Sequence, residues 1–348
     1  MVPARRKAPH GELPQAGRET DHPARAAADR CYGRTVNAHD PIDRWLQQRP
    51  HLVLDGALAT ELERRGADLR DALWSARLLI EQPGMIRAVH LDYFRAGADV
   101  ATTASYQASF EGFARRGLSH EDAAALMRLS VRLACEARDQ ALAERAPADA
   151  RPAPLVAASV GPYGAVLADG SEYRGRYGLD EAALLNFHRP RLQLLAASGA
   201  DLLACETLPC IAEARALARL MDEAGTRGWI SFSARDGGHV CEGDSIEDAV
   251  AAVQGFDSVV AIGVNCTPPQ HVAELLVRAR TRTAKPLLAY PNAGETWDAR
   301  AKRWLPAAEC AHRPFEDLAM DWAAAGARLI GGCCRTGPAQ IAALAGRW

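Results

Sequence analysis

Residues 180–205 read DEAALLNFHRPRLQLLAASGADLLAC. The first part, 180–198, spaces its apolar residues as one face of a helix does. Gly199-Ala200-Asp201 then breaks the pattern, with glycine at the left-handed position that ends helices. A short, nearly continuous apolar run follows at 201–205, as for a strand buried on both faces of a parallel sheet. The same join recurs at Gly97-Ala98-Asp99 and, with arginine third, at Gly326-Ala327-Arg328. The repeated unit is a helix delivering the chain into a buried strand.

Working outward, strand-like runs occupy residues 51–55, 99–103, 155–159, 201–205, 229–233, 259–264, 287–290 and 328–330. Helical patterns between them cover 119–142, 180–198, 211–224, 245–254, 269–280, 315–325 and 338–344. Several open on a cap or an early proline, as at Ser119 with Asp122, Ser245 with Asp248, and Pro338 after Gly337. Eight strand–helix units predict an α/β fold, the (β/α)8 or TIM barrel, with a doubly wound open sheet as the alternative. No GxGxxG motif follows the first run and no GxxxxGK[ST] occurs, so neither phosphate-binding signature favours the open sheet. Residues 1–44, rich in Ala, Arg, Pro and Gly, are expected to be a flexible N-terminal extension, and residues 45–348 the barrel domain.

Composition narrows the function. The 348 residues carry 41 basic and 43 acidic side chains, a net charge of −2, so a dedicated nucleic-acid binder or anionic-membrane binder is not expected. Lysine stands only at 7, 285 and 302, which with the alanine richness reads as genome composition rather than chemistry. No run approaches the ~18 apolar residues of a membrane span. The N-terminus lacks the apolar segment of a secretory signal, and its acidic residues fit poorly with a transit peptide, so a cytoplasmic location is expected. Nine cysteines in a chain of this length do not make a disulfide scaffold, and a reducing compartment keeps them as thiols.

A barrel does its chemistry at the C-terminal ends of its strands. There the sequence places Asp55-Gly56-Ala57, residues 102–106, Cys205-Glu206-Thr207, Asn265-Cys266, Tyr290-Pro291-Asn292 and Gly331-Gly332-Cys333-Cys334. Cys266, Cys333 and Cys334 therefore face one mouth. The two glycines before the pair are expected to let the backbone approach a bound group. Three thiolates suit a soft, borderline metal such as Zn2+, and three protein ligands with one open position is the catalytic zinc pattern. Such a centre is a poor Lewis acid but can bind an incoming thiol as thiolate, so it is built to activate sulfur rather than water. Cysteine is also among the most buried residue types, and a core role is the competing reading. That reading is preferred for Cys31, Cys135, Cys205, Cys210, Cys241 and Cys310.

Gly263-Val264-Asn265-Cys266 and residues 331–336 (GGCCRT) resemble the two zinc motifs of the homocysteine S-methyltransferases. Asp55-Gly56-Ala57 with Thr60-Glu61-Leu62, residues 102–107 (TTASYQ), Glu206-Thr207 and residues 290–295 (YPNAGE) match that family too, in its order, from about residue 45 onward. The GGCCRT and YPNAGE segments look most like the branch using S-methylmethionine or S-adenosylmethionine. The resemblance implies zinc-dependent transfer of a methyl group from a sulfonium or ammonium donor to homocysteine, giving methionine, on a (β/α)8 barrel. It implies Cys266, Cys333 and Cys334 as zinc ligands, and Asp55 and Glu206 as receivers of the homocysteine ammonium. Trp74 and Tyr106 would face the cationic donor, with Tyr290 behind them. Backbone groups at Gly56 and Ala57, or Ser75, are expected to take the homocysteine carboxylate, and Asn265 and Asn292 to orient ligands or close turns. The thiolate would displace the methyl group directly, and because the donor leaves neutral no general acid is expected.

The chain stops soon after the helix that follows the last run, so neither a cobalamin nor a folate region is expected, and a monomer or weak oligomer is. The alternatives are a betaine-type enzyme, a selenocysteine or other thiol methyltransferase on the same barrel, a metal-free barrel hydrolase or aldolase, and a non-catalytic zinc- or thiol-binding scaffold.

Overall fold

The computed structural model describes residues 40–69, 74–294, 296–298, 303–305 and 313–348, with the side chains of Trp74 and Ser75 outside that description. Cys31, Cys310 and residues 1–39 of the expected extension also lie outside the described residues. Eight parallel strands form the barrel: β1 (Leu52–Val53), β2 (Val100–Thr102), β3 (Leu155–Val160), β4 (Leu202–Leu208), β5 (Gly228–Phe232), β6 (Val259–Asn265), β7 (Leu287–Tyr290) and β10 (Ala327–Ile330). Their spatial order is β1-β10-β7-β6-β5-β4-β3-β2. A parallel bridge from Leu54 to Val100 closes the ring, backed by the Asp55 N–H donating to the Val100 carbonyl at 3.0 Å. The sheet is thus a closed barrel, not an open doubly wound sheet.

Helices follow each barrel strand. The longest, His120–Ala143, starts in a capping box in which Ser119 and Asp122 each accept the other's backbone N–H. Pro83–Arg95, before β2, and the short Leu58–Arg64 were not distinguished in the sequence. Two further strands, β8 (Thr296–Asp298) and β9 (Arg303–Leu305), pair antiparallel outside the barrel.

The Gly-Ala-Asp joins have a shared geometry. Gly97, Gly199 and Gly326 all adopt positive φ, at 101°, 88° and 107°. Asp99 donates its N–H to the Val53 carbonyl and accepts the Val53 N–H on its side chain, at 2.7 and 2.9 Å. Asp201 repeats both bonds with Val156, each at 2.9 Å. The aspartate therefore fixes the register of its strand against the preceding one, where an unmet N–H would cost ~1–3 kcal/mol.

Side chains form two layers. The barrel interior holds Leu52, Leu54, Val100, Leu202, Trp229, Leu288 and Leu329, among others. A larger shell packs the outer strand faces against the helices. Ile42 and Trp45 belong to the interior layer. They sit on a six-residue helix, Pro41–Leu46, capped by Asp40, whose carboxylate accepts the Ile42 N–H at 2.8 Å. The expected boundary at residue 45 therefore falls inside a helix: residues 40–44 are folded, and burying Ile42 and Trp45 contributes ~1.5–3 kcal/mol each.

Candidate active site

Cys266 follows β6, while Cys333 and Cys334 lie three and four residues past the end of β10. The three sulfurs lie within 4.8 Å of one another, and among the described residues no other trio of His, Cys, Asp or Glu converges so closely. Cys266 Sγ is 2.8 Å from Cys333 Sγ and 3.6 Å from Cys334 Sγ. A tetrahedral ion with ~2.3 Å sulfur bonds spaces its ligands about 3.8 Å apart. The Cys266–Cys334 edge meets that spacing, and the Cys266–Cys333 edge must open by about 1 Å. Hydrogen bonds from the other two thiols hold Cys266 well below the usual thiol range, and Cys333 and Cys334 are pushed well above it. Three sulfurs this close cannot all ionise without a cation among them, and a soft divalent ion fits the donor set.

Backbone turns aim these groups. Cys266 has φ +48°, a left-handed conformation unusual for a residue with a side chain. Cys333 is fixed by its N–H donating to the Pro291 carbonyl at 2.7 Å, and its carbonyl accepts the Thr336 hydroxyl at 2.6 Å. The glycines before it are required by packing. A Cβ on Gly331 would stand 2.6 Å from the Leu54 Cβ, and one on Gly332 would collide with Thr336. They let the strand pass close to its own neighbours.

Two buried carboxylates stand at the same mouth. Asp55 turns across to β2, accepting the Thr102 N–H at 2.9 Å and its hydroxyl at 3.1 Å. Burial raises its carboxyl well above the usual range, and the neighbouring Glu206 adds to the rise. Glu206 accepts the hydroxyl of Ser159. Burial pushes it up to about 7, against the opposing hydrogen bonds of Ser159 and Tyr290. Among the described residues neither carboxylate has an ion pair.

Asn265, expected to orient ligands or close turns, is fully buried. Its Oδ1 accepts the Thr207 N–H, and its Nδ2 donates to the Thr207 hydroxyl, both at 2.7 Å. Thr207 has φ +61°, so the amide clamps a strained residue beside Glu206. Tyr290, expected behind the donor, is likewise buried in the barrel; its hydroxyl accepts from Trp229 Nε1 at 3.0 Å and supports Glu206 from below. Ala57 donates its N–H to the Thr336 carbonyl at 3.0 Å, so that group is not open to a substrate carboxylate; Gly56, whose Cβ would meet Thr336 and Tyr93, remains as the backbone candidate. Asn292 is buried at the mouth, its Oδ1 unpartnered among the described residues. Tyr106 reaches the site, its hydroxyl bonded to Thr207, in the field of Glu172, Cys266 and Glu206.

The segment after β3 was missed. Its 3-10 turn, Ser171–Tyr173, lays the Tyr173 hydroxyl 3.5 Å from Cys266 Sγ. Beside it, burial pushes Glu172 up to about 7, and its Oε2 has no hydrogen-bond partner among the described residues. The signal was available: every strand end is a candidate position, and the sequence reading named no residue at the ends of the third and fifth.

A homocysteine S-methyltransferase family model matches residues 52–348. The homocysteine S-methyltransferase YbgG of Bacillus subtilis is 51% identical over 307 residues, covering 88% of this chain and 97% of that protein. The homocysteine S-methyltransferase of Escherichia coli is 50% identical, covering 90% and 100%. The selenocysteine Se-methyltransferase of Brassica oleracea is 46% identical, covering 84% and 88%. The crystal structure of the metallated form of the E. coli homocysteine methyltransferase MmuM superimposes with a TM-score of 0.80 at 48% identity, covering 89% of this chain and all of that one. Barrel and site thus define a methyltransferase of sulfur chemistry. The chain belongs to the homocysteine S-methyltransferase family.

Proposed function

We propose that this enzyme transfers a methyl group from a sulfonium donor, S-methylmethionine or S-adenosylmethionine, to the thiolate of homocysteine, giving methionine, with Zn2+ held by Cys266, Cys333 and Cys334. The observation that carries the proposal is three sulfurs within 4.8 Å at a barrel mouth that also holds two buried carboxylates without counter-ions among the described residues. When bound, Zn2+ lowers the pKa of an incoming thiol and keeps it as thiolate.

The rest is the work of the chain. Asp55 and Glu206 receive the homocysteine ammonium by charge-assisted hydrogen bonds. The ammonium relieves the burial that raises both carboxyls and the Glu206 repulsion that adds to the rise at Asp55, so binding and ionisation reinforce each other. Thr102 on Asp55, and Ser159 and Tyr290 on Glu206, hold the carboxylates in place before the substrate arrives. Tyr106 offers an aromatic face to the cationic donor, worth ~0.5–2 kcal/mol; Trp74 is assigned the same part. The donor leaves neutral, so alignment and cation stabilisation suffice.

We place the reaction in the cytoplasm: the seven cysteines among the described residues are free thiols, and among those residues no helix is long and apolar enough to cross a membrane. A selenol acceptor is the second reading, favoured by the selenocysteine-methylating relative. A panel of S-methylmethionine, S-adenosylmethionine and betaine at fixed homocysteine, read as methionine formed, tests the donor class. Turnover with either sulfonium and little with betaine is expected; betaine as the best donor would reverse the assignment. Replacing homocysteine with selenocysteine in the same assay tests the second reading.

A further inference from the structure

Glu172 is a third acidic group at the mouth, and it stands apart from the other two. Glu206 adds to the rise at Asp55, whereas the charges that act on Glu172 are those of Cys266, Asp169 and Arg174. Its position is built. Its carbonyl accepts the Ser233 hydroxyl at 3.1 Å, and its neighbour Tyr173 reaches Cys266 Sγ at 3.5 Å. Its carboxylate Oε2 is covered from solvent yet accepts no hydrogen bond among the described residues. The adjacent Arg174 turns instead to Asp169, at 3.5 Å, and to the Ser171 hydroxyl, at 3.2 Å.

A buried carboxylate oxygen without a donor is costly, and it is satisfied by an N–H or O–H group, not by an aliphatic cation. A sulfonium carries no such hydrogen; its positive sulfur suits the aromatic face of Tyr106. A group that both satisfies this oxygen and answers its charge brings a second positive centre bearing N–H bonds. We propose that Glu172 receives the ammonium of an amino-acid sulfonium donor, and thereby selects donors with an amino group over those whose only cation is the methyl-bearing centre. The inference rests on the sulfonium reading above and names what that reading leaves open, the feature by which the donor is recognised.

The test compares S-methylmethionine with its deamino analogue, 4-dimethylsulfoniobutanoate, in the metal-loaded wild-type enzyme and in Glu172→Gln. The wild type should use the analogue about 10- to 100-fold less efficiently in kcat/KM, the worth of one hydrogen bond to a charged group. Glu172→Gln should lose a similar factor with S-methylmethionine, through KM. It should lose little with the analogue, and its KM for homocysteine should not move. A wild type that uses both donors equally well overturns the inference whether or not the variant folds. A variant that loses equally on both donors also overturns it, because that marks a general disturbance of the site. Wild-type enzyme that forms methionine from neither donor would instead overturn the activity reading itself.

Discussion

Thr207 and Cys266 share an unusual backbone. Both have side chains and both adopt left-handed φ, at +61° and +48°. A conformation of that kind costs roughly 1–3 kcal/mol and persists where the surroundings over-determine it. At Thr207 the surroundings are Asn265, whose amide binds both the N–H and the hydroxyl. Through Thr207, Asn265 sets where Glu206 points. Asn265→Ala should cost about 1–3 kcal/mol of stability, the price of an unmet buried N–H. It should also raise the KM for homocysteine by roughly tenfold, as one charge-assisted bond is misaligned; a homocysteine KM unchanged in that variant would contradict the positioning role. Sequence reading marked Asn265 because it precedes a cysteine at a strand tip, and left open whether it orients ligands or closes a turn. Its partner is 58 residues away, and the positive φ that requires the clamp leaves no mark in a threonine codon, as it does in a glycine. The cysteines were legible for the opposite reason: residue type alone limits what three clustered thiols can do.

At the scale of elements, the strands and long helices were legible because both periods repeat. The Gly-Ala-Asp joins were visible as an echo, and the structure adds that Asp99 and Asp201 each bond both ways to the strand beside them. The third copy has Arg328, which donates to the Pro50 carbonyl and so ties β10 to the segment before β1 by other means. The helix at Pro41–Leu46 was not legible: six residues are too few to show a helical period, and only the Asp40-Pro41 start marks it. It matters nonetheless, because Trp45 is 3% exposed in the interior layer. Trp45→Ala should lower unfolding stability by about 3–5 kcal/mol, as for other buried aromatic truncations. The homocysteine KM at the opposite end of the barrel should stay put. A loss under about 1 kcal/mol in a urea titration would show that the helix is dispensable to the core.

The whole molecule should respond to acid through two histidines. His90 and His188 are fully buried, and burial lowers each from 6.5 to about 4. Between those values the unfolded chain takes up protons that the folded chain refuses, so their contribution to stability falls as pH drops from about 6.5 to about 4. Carboxyls with raised values oppose this: Asp99, pushed up to about 6, and Glu206, to about 7, keep protons in the fold that the unfolded chain has lost, and so favour the fold at low pH. A single substitution separates the terms. His90 has neither ring nitrogen partnered among the described residues. His90→Leu should therefore gain about 2 kcal/mol relative to the wild type on going from pH 8 to pH 5. Denaturant midpoints at the two pH values measure it, and a variant whose difference from wild type is the same at both would refute the assignment.

The central claim belongs to the same scale, because β6 and β10 bring together sulfurs from distant parts of the chain. Its most direct test is zinc content per chain, measured alongside methionine formation from homocysteine and S-methylmethionine, in the wild type and in Cys266→Ser and Cys333→Ser. The account predicts one zinc per wild-type chain, and loss of metal and turnover together in both variants with the helical circular dichroism retained. Full turnover in a wild-type chain stripped of metal, or in either variant, would contradict it.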